Sequence, residues 1–240
     1  MLYLTSTLKS FNIHATDGEM GKVKNIYFDD HDWAIRYAQV DTHKWLPGRN
    51  VYLSPSSFTK MNDEEKYVEV NHTKDTVKDS PTIPADTEIS RTNEESLTAY
   101  YGWNSYWRAQ NLWGAVDRPL VPRVPVQDEE KTGVRHELKT NENKKYDLLN
   151  ESEAIGMKIH GHDGKMGEVT DLVFDDDNWK IDYLAVKVVR VPVEEYYLIK
   201  SEHITSVEWM EKDLYVDLNA NYLDEQTSYE TKEDALASLR

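Results

Sequence analysis

The sequence predicts an all-β protein with minor α, built as two small β-barrels joined by an aromatic-rich helical or extended linker. Three observations lead there. The segment Ile13–Val40 aligns without a gap on Ile159–Val186 at a constant offset of 146, with 14 of 28 positions identical. Asp17-Gly18 and Asp163-Gly164 stand at the same point of each copy, where a tight hairpin needs residues that tolerate φ > 0. The stretches after them are short, turn-bounded and carry apolar residues at strand-like spacing, which favours a closed or nearly closed barrel in a unit this small.

Beyond the hairpin, Val23, Ile26 and Phe28, with Val169, Leu172 and Phe174, are spaced by three and then two, so a β-bulge is expected in this strand. Asp29–Asp32 and Asp175–Asn178 read as the next turn. Trp33, Ile35 and Tyr37, like Trp179, Ile181 and Tyr183, alternate as one face of a strand should. The match continues with Asn50–Leu53 opposite Tyr196–Ile199, then, with a shift of two residues, Lys66–Val70 opposite Leu214–Leu218. Two units result, at 1–78 and 145–222.

Residues 79–144 differ in composition. The stretch 79–115 reads as an aromatic helical extension. Asp79–Pro84 carries two prolines and is expected to be extended. Thr92-x-x-Glu95 has capping-box spacing and Gly102 a natural stop, which predicts a helix over 92–101. That helix delivers Tyr100, Tyr101, Trp103, Tyr106 and Trp107 as one aromatic knot, read first as a plug or inter-barrel staple and second as a partner-binding patch. Residues 116–144 are proline-punctuated, polar and charged, as a flexible linker is. Over 223–240, Thr231-x-x-Asp234 announces a short C-terminal helix or tail with few anchoring positions.

The run from the turn glycine through V-x-(D/N)-(I/L)-x-F-D-D to W-x-I-x-Y, over Phe11–Asp41 and Gly156–Lys187, resembles the PRC-barrel family. That family is named for the cytoplasmic domain of the photosynthetic reaction centre H subunit. The aromatic stretch is similar to an extension found after the barrel in stand-alone bacterial PRC-barrel proteins. The resemblance implies a tandem pair of PRC-type barrels but no single activity. It is compatible with a non-enzymatic interaction or assembly module, with a peripheral subunit of a membrane electron-transfer complex, and with a ribosome-maturation-type factor that binds a ribosomal protein.

Composition narrows the partners. Lys and Arg number 28 against 44 Asp and Glu, a formal charge of −16, which repels a nucleic-acid backbone. The charge is uneven: ten basic against eleven acidic residues in 1–78, but eight against seventeen in 145–222. A protein partner is therefore expected, basic where it meets the second unit, and self-association stays open. No cysteine is present, which removes thiolate chemistry. The opening residues lack signal-peptide character and no apolar run is long enough to cross a bilayer, so a cytoplasmic location is expected.

Catalytic motifs are not found: there is no G-x-S-x-G, no phosphate loop and no dinucleotide fingerprint. His160 and His162, two apart on an expected strand, invite a metal reading, as do the acidic loops Asp29–Asp32 and Asp175–Asp177. His162 has no counterpart in the first copy, and the loops lack the glycine and terminal Glu of a calcium-binding hand. No enzyme activity, cofactor or metal is expected.

Overall fold

The computed structural model describes residues 1–47, 49–84, 89–108, 111–119, 148–190 and 192–239. Most of the expected linker therefore lies outside the described residues. The first half carries β1 (Leu2–Leu4), α1 (Thr5–Leu8), β2 (Asn12–Ala15), β3 (Gly18–Asp29), β4 (Ile35–Asp41), β5 (Val51–Leu53), β6 (Phe58–Asn62), β7 (Tyr67–Val70) and α2 (Lys74–Lys78). After α3 (Arg91–Tyr101), the second half repeats the pattern. Its elements are β8 (Leu148–Asn150), α4 (Glu151–Ala154), β9 (Lys158–Gly161), β10 (Gly164–Asp175), β11 (Ile181–Arg190), β12 (Val193–Lys200), β13 (Ile204–Glu208) and β14 (Asp213–Val216), and then α5 (Lys232–Ala237). The chain is predominantly β with minor helix.

Two seven-stranded mixed sheets form, ordered β5-β4-β3-β2-β7-β6 and β12-β11-β10-β9-β14-β13. In each, one pair is parallel, β2 with β7 and β9 with β14. The expectation of two closed barrels is corrected. No ladder joins β5 to β6 or β12 to β13 among the described residues, so each sheet keeps two ends.

The seventh strand of each sheet comes from the other half. β1 pairs with β10 through Leu2 opposite Asp175 and Leu4 opposite Val173. β8 pairs with β3 through Leu148 opposite Asp29 and Asn150 opposite Tyr27. These positions differ by the same 146 residues. The physical reason lies in the length of β3 and β10: both span twelve residues. β2 pairs with only the first part of β3, Gly18 to Lys22, and β9 with only Gly164 to Glu168 of β10. The remaining edge is a row of backbone donors and acceptors that must be satisfied, and the exchanged strand satisfies it.

A second reciprocal contact marks the seam. The Ile35 amide donates to the Trp179 carbonyl at 2.8 Å and the Ile181 amide to the Trp33 carbonyl at 2.7 Å. Trp33 and Trp179 both take left-handed backbone, φ 55° and 61°, an uncommon state for so bulky a residue. Their own amides are returned to the carbonyls of Asp29 and Asp175, which pins the turns. Across the seam Trp33 lies 6.4 Å from Trp209, and Trp179 lies 5.0 Å from Phe58. One continuous apolar core therefore runs through both halves.

Both long strands are bulged. Register shifts occur between Val23 and Asn25, and between Val169 and Asp171, so the bulge expected there is present. A second bulge overturns the alternation read for the next strand. Ile35 pairs with Phe28, whereas Tyr37 pairs with Tyr27. Adjacent residues of β3 face opposite ways, so Ile35 and Tyr37 do too, with Arg36 as the extra residue. Ile181, Asp182 and Tyr183 repeat this arrangement.

The two-residue shift expected near the end of each unit is also corrected. Ile13 pairs with Val68 and Ile159 with Leu214, so the offset of 146 persists. Lys66 and Lys212, 146 apart, share positive φ, and each carbonyl accepts the amide entering the parallel strand, Asn12 or Lys158.

At the hairpins, Gly18 and Gly164 carry the positive φ (137° and 142°), but Asp17 and Asp163 do not share it. Their carboxylates instead accept the backbone amides of Lys74 and Ala220, anchoring the segment that leaves the last strand of each half. Among the described residues no helix is long and apolar enough to cross a membrane.

Leu4 is 1% exposed and packs with Val173, Ala185 and Leu236 of the second half. Leu4→Ala is expected to cost about 2–5 kcal/mol and to lower one shared unfolding midpoint, read by circular dichroism and tryptophan fluorescence in denaturant. Two separated transitions, with only one moved, would contradict the shared core.

Candidate functional site

The expected aromatic knot lies on the outer face of the first sheet. Its helix starts earlier than the Thr92 spacing suggested. Ser90 is the cap, accepting the Asn93 amide at 3.3 Å, while the Asn93 side chain accepts the Ser90 amide at 3.0 Å. The reason is chemical: the Asn93 carboxamide supplies the reciprocal acceptor usually provided by Glu or Gln. Gly102, φ 69°, ends the helix in the left-handed state, as expected. Glu94, Leu97, Thr98 and Tyr101 are its buried residues, a spacing that sets them on one face.

That face, with the residues after it, covers β4. Tyr101 is buried and stacks on Trp103 at 4.4 Å, and Trp103 lies 6.1 Å from Tyr37. The Trp103 indole donates to Ser57 Oγ at 2.8 Å. Tyr106 is buried. Trp107 is half-buried beneath the Arg91 guanidinium at 4.4 Å. Tyr100 stays 41% exposed, its hydroxyl donating to the Thr76 carbonyl at 2.7 Å. Trp113 then reaches the second half, where its indole donates to the Asn178 carbonyl at 2.6 Å. The segment is thus held to both halves.

Under this cover lie ionisable groups that sequence reasoning did not single out. Arg36 is 1% exposed. Its Nε donates to Asp29 Oδ2 at 2.7 Å, Nη1 to the Leu112 carbonyl at 2.6 Å and Nη2 to Asp32 Oδ2 at 3.2 Å. The Tyr106 ring sits 3.9 Å from the guanidinium carbon and the Trp113 ring 5.0 Å. Only a planar, forked cation serves two carboxylates, a carbonyl and two aromatic faces together. The signal was present in Ala-Ile-Arg-Tyr-Ala, one charge in an apolar strand.

Glu94, 2% exposed, is the second such group. It accepts the hydroxyls of Tyr106 and Tyr37 and pairs with Arg91 at 2.7 Å. Burial pushes its carboxyl up to about 7, partly opposed by the Tyr106 hydrogen bond and the Arg91 charge. Burial, then the neighbouring Glu94 charge, holds Tyr37 and Tyr106 well above the usual phenol range.

The second sheet is covered differently. Asp171, 1% exposed, accepts Thr5 Oγ1 at 2.7 Å, the Ser6 amide at 3.2 Å and Lys232 Nζ at 2.6 Å. Ala235 and Leu236 of α5 are buried, and Leu236 seats on Val173 and Ala185. The C-terminal helix therefore has firmer anchors than its sequence indicated, because its partner, Leu4, comes from the other end of the chain.

The metal readings find other employment. Asp29, His31 and Asp32 bring ligand atoms within 4.8 Å of one another. Asp29 and Asp32 already hold the Arg36 cation, and Asp29 Oδ1 accepts two backbone amides. His160 pairs with Asp213 at 2.9 Å and stacks on Tyr215. His162 lies in the turn beyond β9, so the shared strand face assumed for the two histidines does not exist. Compared with family models and with curated proteins, the chain finds no match in either.

Two outcomes are expected. Because the Glu94 carboxyl titrates near 7 when folded and near 4.5 when unfolded, its contribution to stability is full below 4.5 and falls as pH rises through 7. Relative to the native chain, Glu94→Gln should gain stability across that window, reaching about 3 kcal/mol by pH 8; a pH-independent difference in denaturant titrations would refute this. Arg36→Met should cost about 3–5 kcal/mol by stranding Asp29. Adding Asp29→Asn should recover part of the loss, and additive losses would deny the coupling.

Proposed function

We propose that this chain is a non-enzymatic, tandem PRC-barrel-like protein that serves as an interaction or assembly module. The observation that carries the reading is how its buried ionisable side chains are employed. Arg36 and Glu94 tie the aromatic cover to the first sheet, Asp171 ties Lys232 of α5 to the second, and Asp29 holds Arg36 in place, all by hydrogen bonds within the molecule. A catalytic group needs reach to a substrate; these have reach to indoles, phenols and backbone.

The reciprocal exchange of β1 and β8 supports the same reading, because it joins two units into one body that presents two different surfaces. The second half is the strongly acidic one. Its exposed residues include Glu202 ahead of β13, Glu208 at its end and Glu211 next to Met210, itself 92% exposed. A basic protein partner fits such a surface, and long-range attraction would speed its encounter.

The immobilised full chain should capture a basic protein saturably from native lysate. Raising salt should release it, as exposed charge pairing at a Debye length of about 8 Å requires. The triple variant E202Q/E208Q/E211Q should capture it more slowly. Saturable capture of nothing, or capture indifferent to both salt and the triple variant, would count against the proposal.

A further inference from the structure

The two halves differ at one place where their frameworks agree. Met20 in β3 and Met166 in β10 are equivalent residues, each buried, and each sits where the pairing register slips: Ile13 faces Gly21 and His14 faces Glu19, while Ile159 faces Gly167 and His160 faces Lys165. A bulge residue of this kind falls out of the ladder. In the first half the chain covers that spot itself. After β4 it turns back, with the amides of Trp45 and Leu46 donating to the Thr42 carbonyl. The Trp45 indole then donates to the Met20 carbonyl at 2.5 Å, with Lys74 Nζ 5.8 Å from its ring.

In the second half the equivalent stretch does something else. β11 and β12 run on as a longer hairpin, to Arg190 and from Val193, and the sequence has a valine, not a tryptophan, 146 positions after Trp45. A cleft of about 250 Å³ remains over Met166 and Gly167, walled by Lys187, Val188 and Val189 and flanked by Lys165 and Glu168. Val189 and Val193 are 59% and 54% exposed. The cleft is smaller than the roughly 300–1,000 Å³ typical of cofactor sites. It is sized for one side chain.

We infer that this cleft is a docking pocket for a tryptophan presented by a partner protein, its indole N–H meeting the Met166 carbonyl as that of Trp45 meets the Met20 carbonyl. The first half states the ligand chemistry: an indole whose N–H meets the bulge and whose face lies near a lysine. Lys165 and Lys187 bring that cation to the second cleft, and an indole beside an ammonium gains from its ring quadrupole. Tryptophan is also among the side chains that most often anchor an interface. The inference rests on the reading of the chain as an interaction module and names one contact that module makes.

The chain's own Asp41–Asn50 sequence, DTHKWLPGRN, supplies the probe as a synthetic peptide. Titrated into full-length protein labelled at the methionine methyls, it should shift the Met166 resonance with a dissociation constant of about 1 mM, the scale of one anchoring side chain. Met20 should stay still. A peptide with alanine in place of tryptophan should give no shift, and Val189→Asp, its fold checked by circular dichroism, should abolish the response. In Trp45→Ala protein, Met20 should respond as well.

An immobile Met166, an equal response to the alanine peptide, a response that survives Val189→Asp, or a Met20 that stays still in Trp45→Ala protein would each overturn the pocket. Basic-partner capture by the full chain, measured alongside, separates this failure from that of the broader reading. Salt-sensitive capture with no Met166 shift would sink the pocket alone, whereas a Met166 shift without capture would sink the charge-driven module and keep the pocket.

Discussion

The arrangement turns on the seam where Trp33–Ile35 meets Trp179–Ile181. Two reciprocal hydrogen bonds there, with the exchanged strands β1 and β8 on either side, make each sheet depend on residues from the opposite half. The logic is that of an isologous dimer, in which contact i to j is repeated as j to i, carried out within one chain. The left-handed tryptophans are a consequence. Each must turn its carbonyl toward the other half while its ring stays in the core, and the Asp29 and Asp175 carbonyls hold that geometry.

Once the seam is set, the outer faces of the two sheets still need covering, and they are covered by unrelated means. The first uses an aromatic segment fixed by a buried arginine and a buried glutamate. The second uses a six-residue helix fixed by Leu236 and a Lys232–Asp171 pair. Buried ion pairs are weak sources of net stability, since desolvation consumes much of the Coulomb gain. Their value here is directional. Arg36 admits only a carbonyl and ring faces in a fixed arrangement, so the segment after Gly102 has one way to lie down.

Much of the fold was legible in the sequence, and the gaps have physical causes. The 146-residue offset, the bulge after Val23 and the stop at Gly102 all rest on local rules that act within a few residues. Strand exchange does not. Leu2–Leu4 would look the same in sequence whichever sheet received it, because three alternating residues carry no partner information. The second bulge at Arg36 was hidden for a related reason: Ile35 and Tyr37 are both apolar and both buried, and burial of both faces erases the alternation that normally reveals a slip. The five aromatic residues stand close together in the sequence itself. What they cover, a charged group standing in an apolar strand, becomes visible only when Arg36 and Glu94 are brought together by the fold.

The exchange also has a temporal side. The long strand Gly18–Asp29 is translated early, yet the piece that completes its edge, Leu148–Asn150, is encoded more than a hundred residues later, and Leu2–Leu4 must wait for Val173–Asp175. Pairings this distant along the chain close large loops before they return any energy, which slows folding. A ribosome therefore extrudes β2 to β7 as a sheet still lacking a strand until Leu148–Asn150 follows, and holds Leu2–Leu4 without a partner strand until Val173–Asp175 has been made.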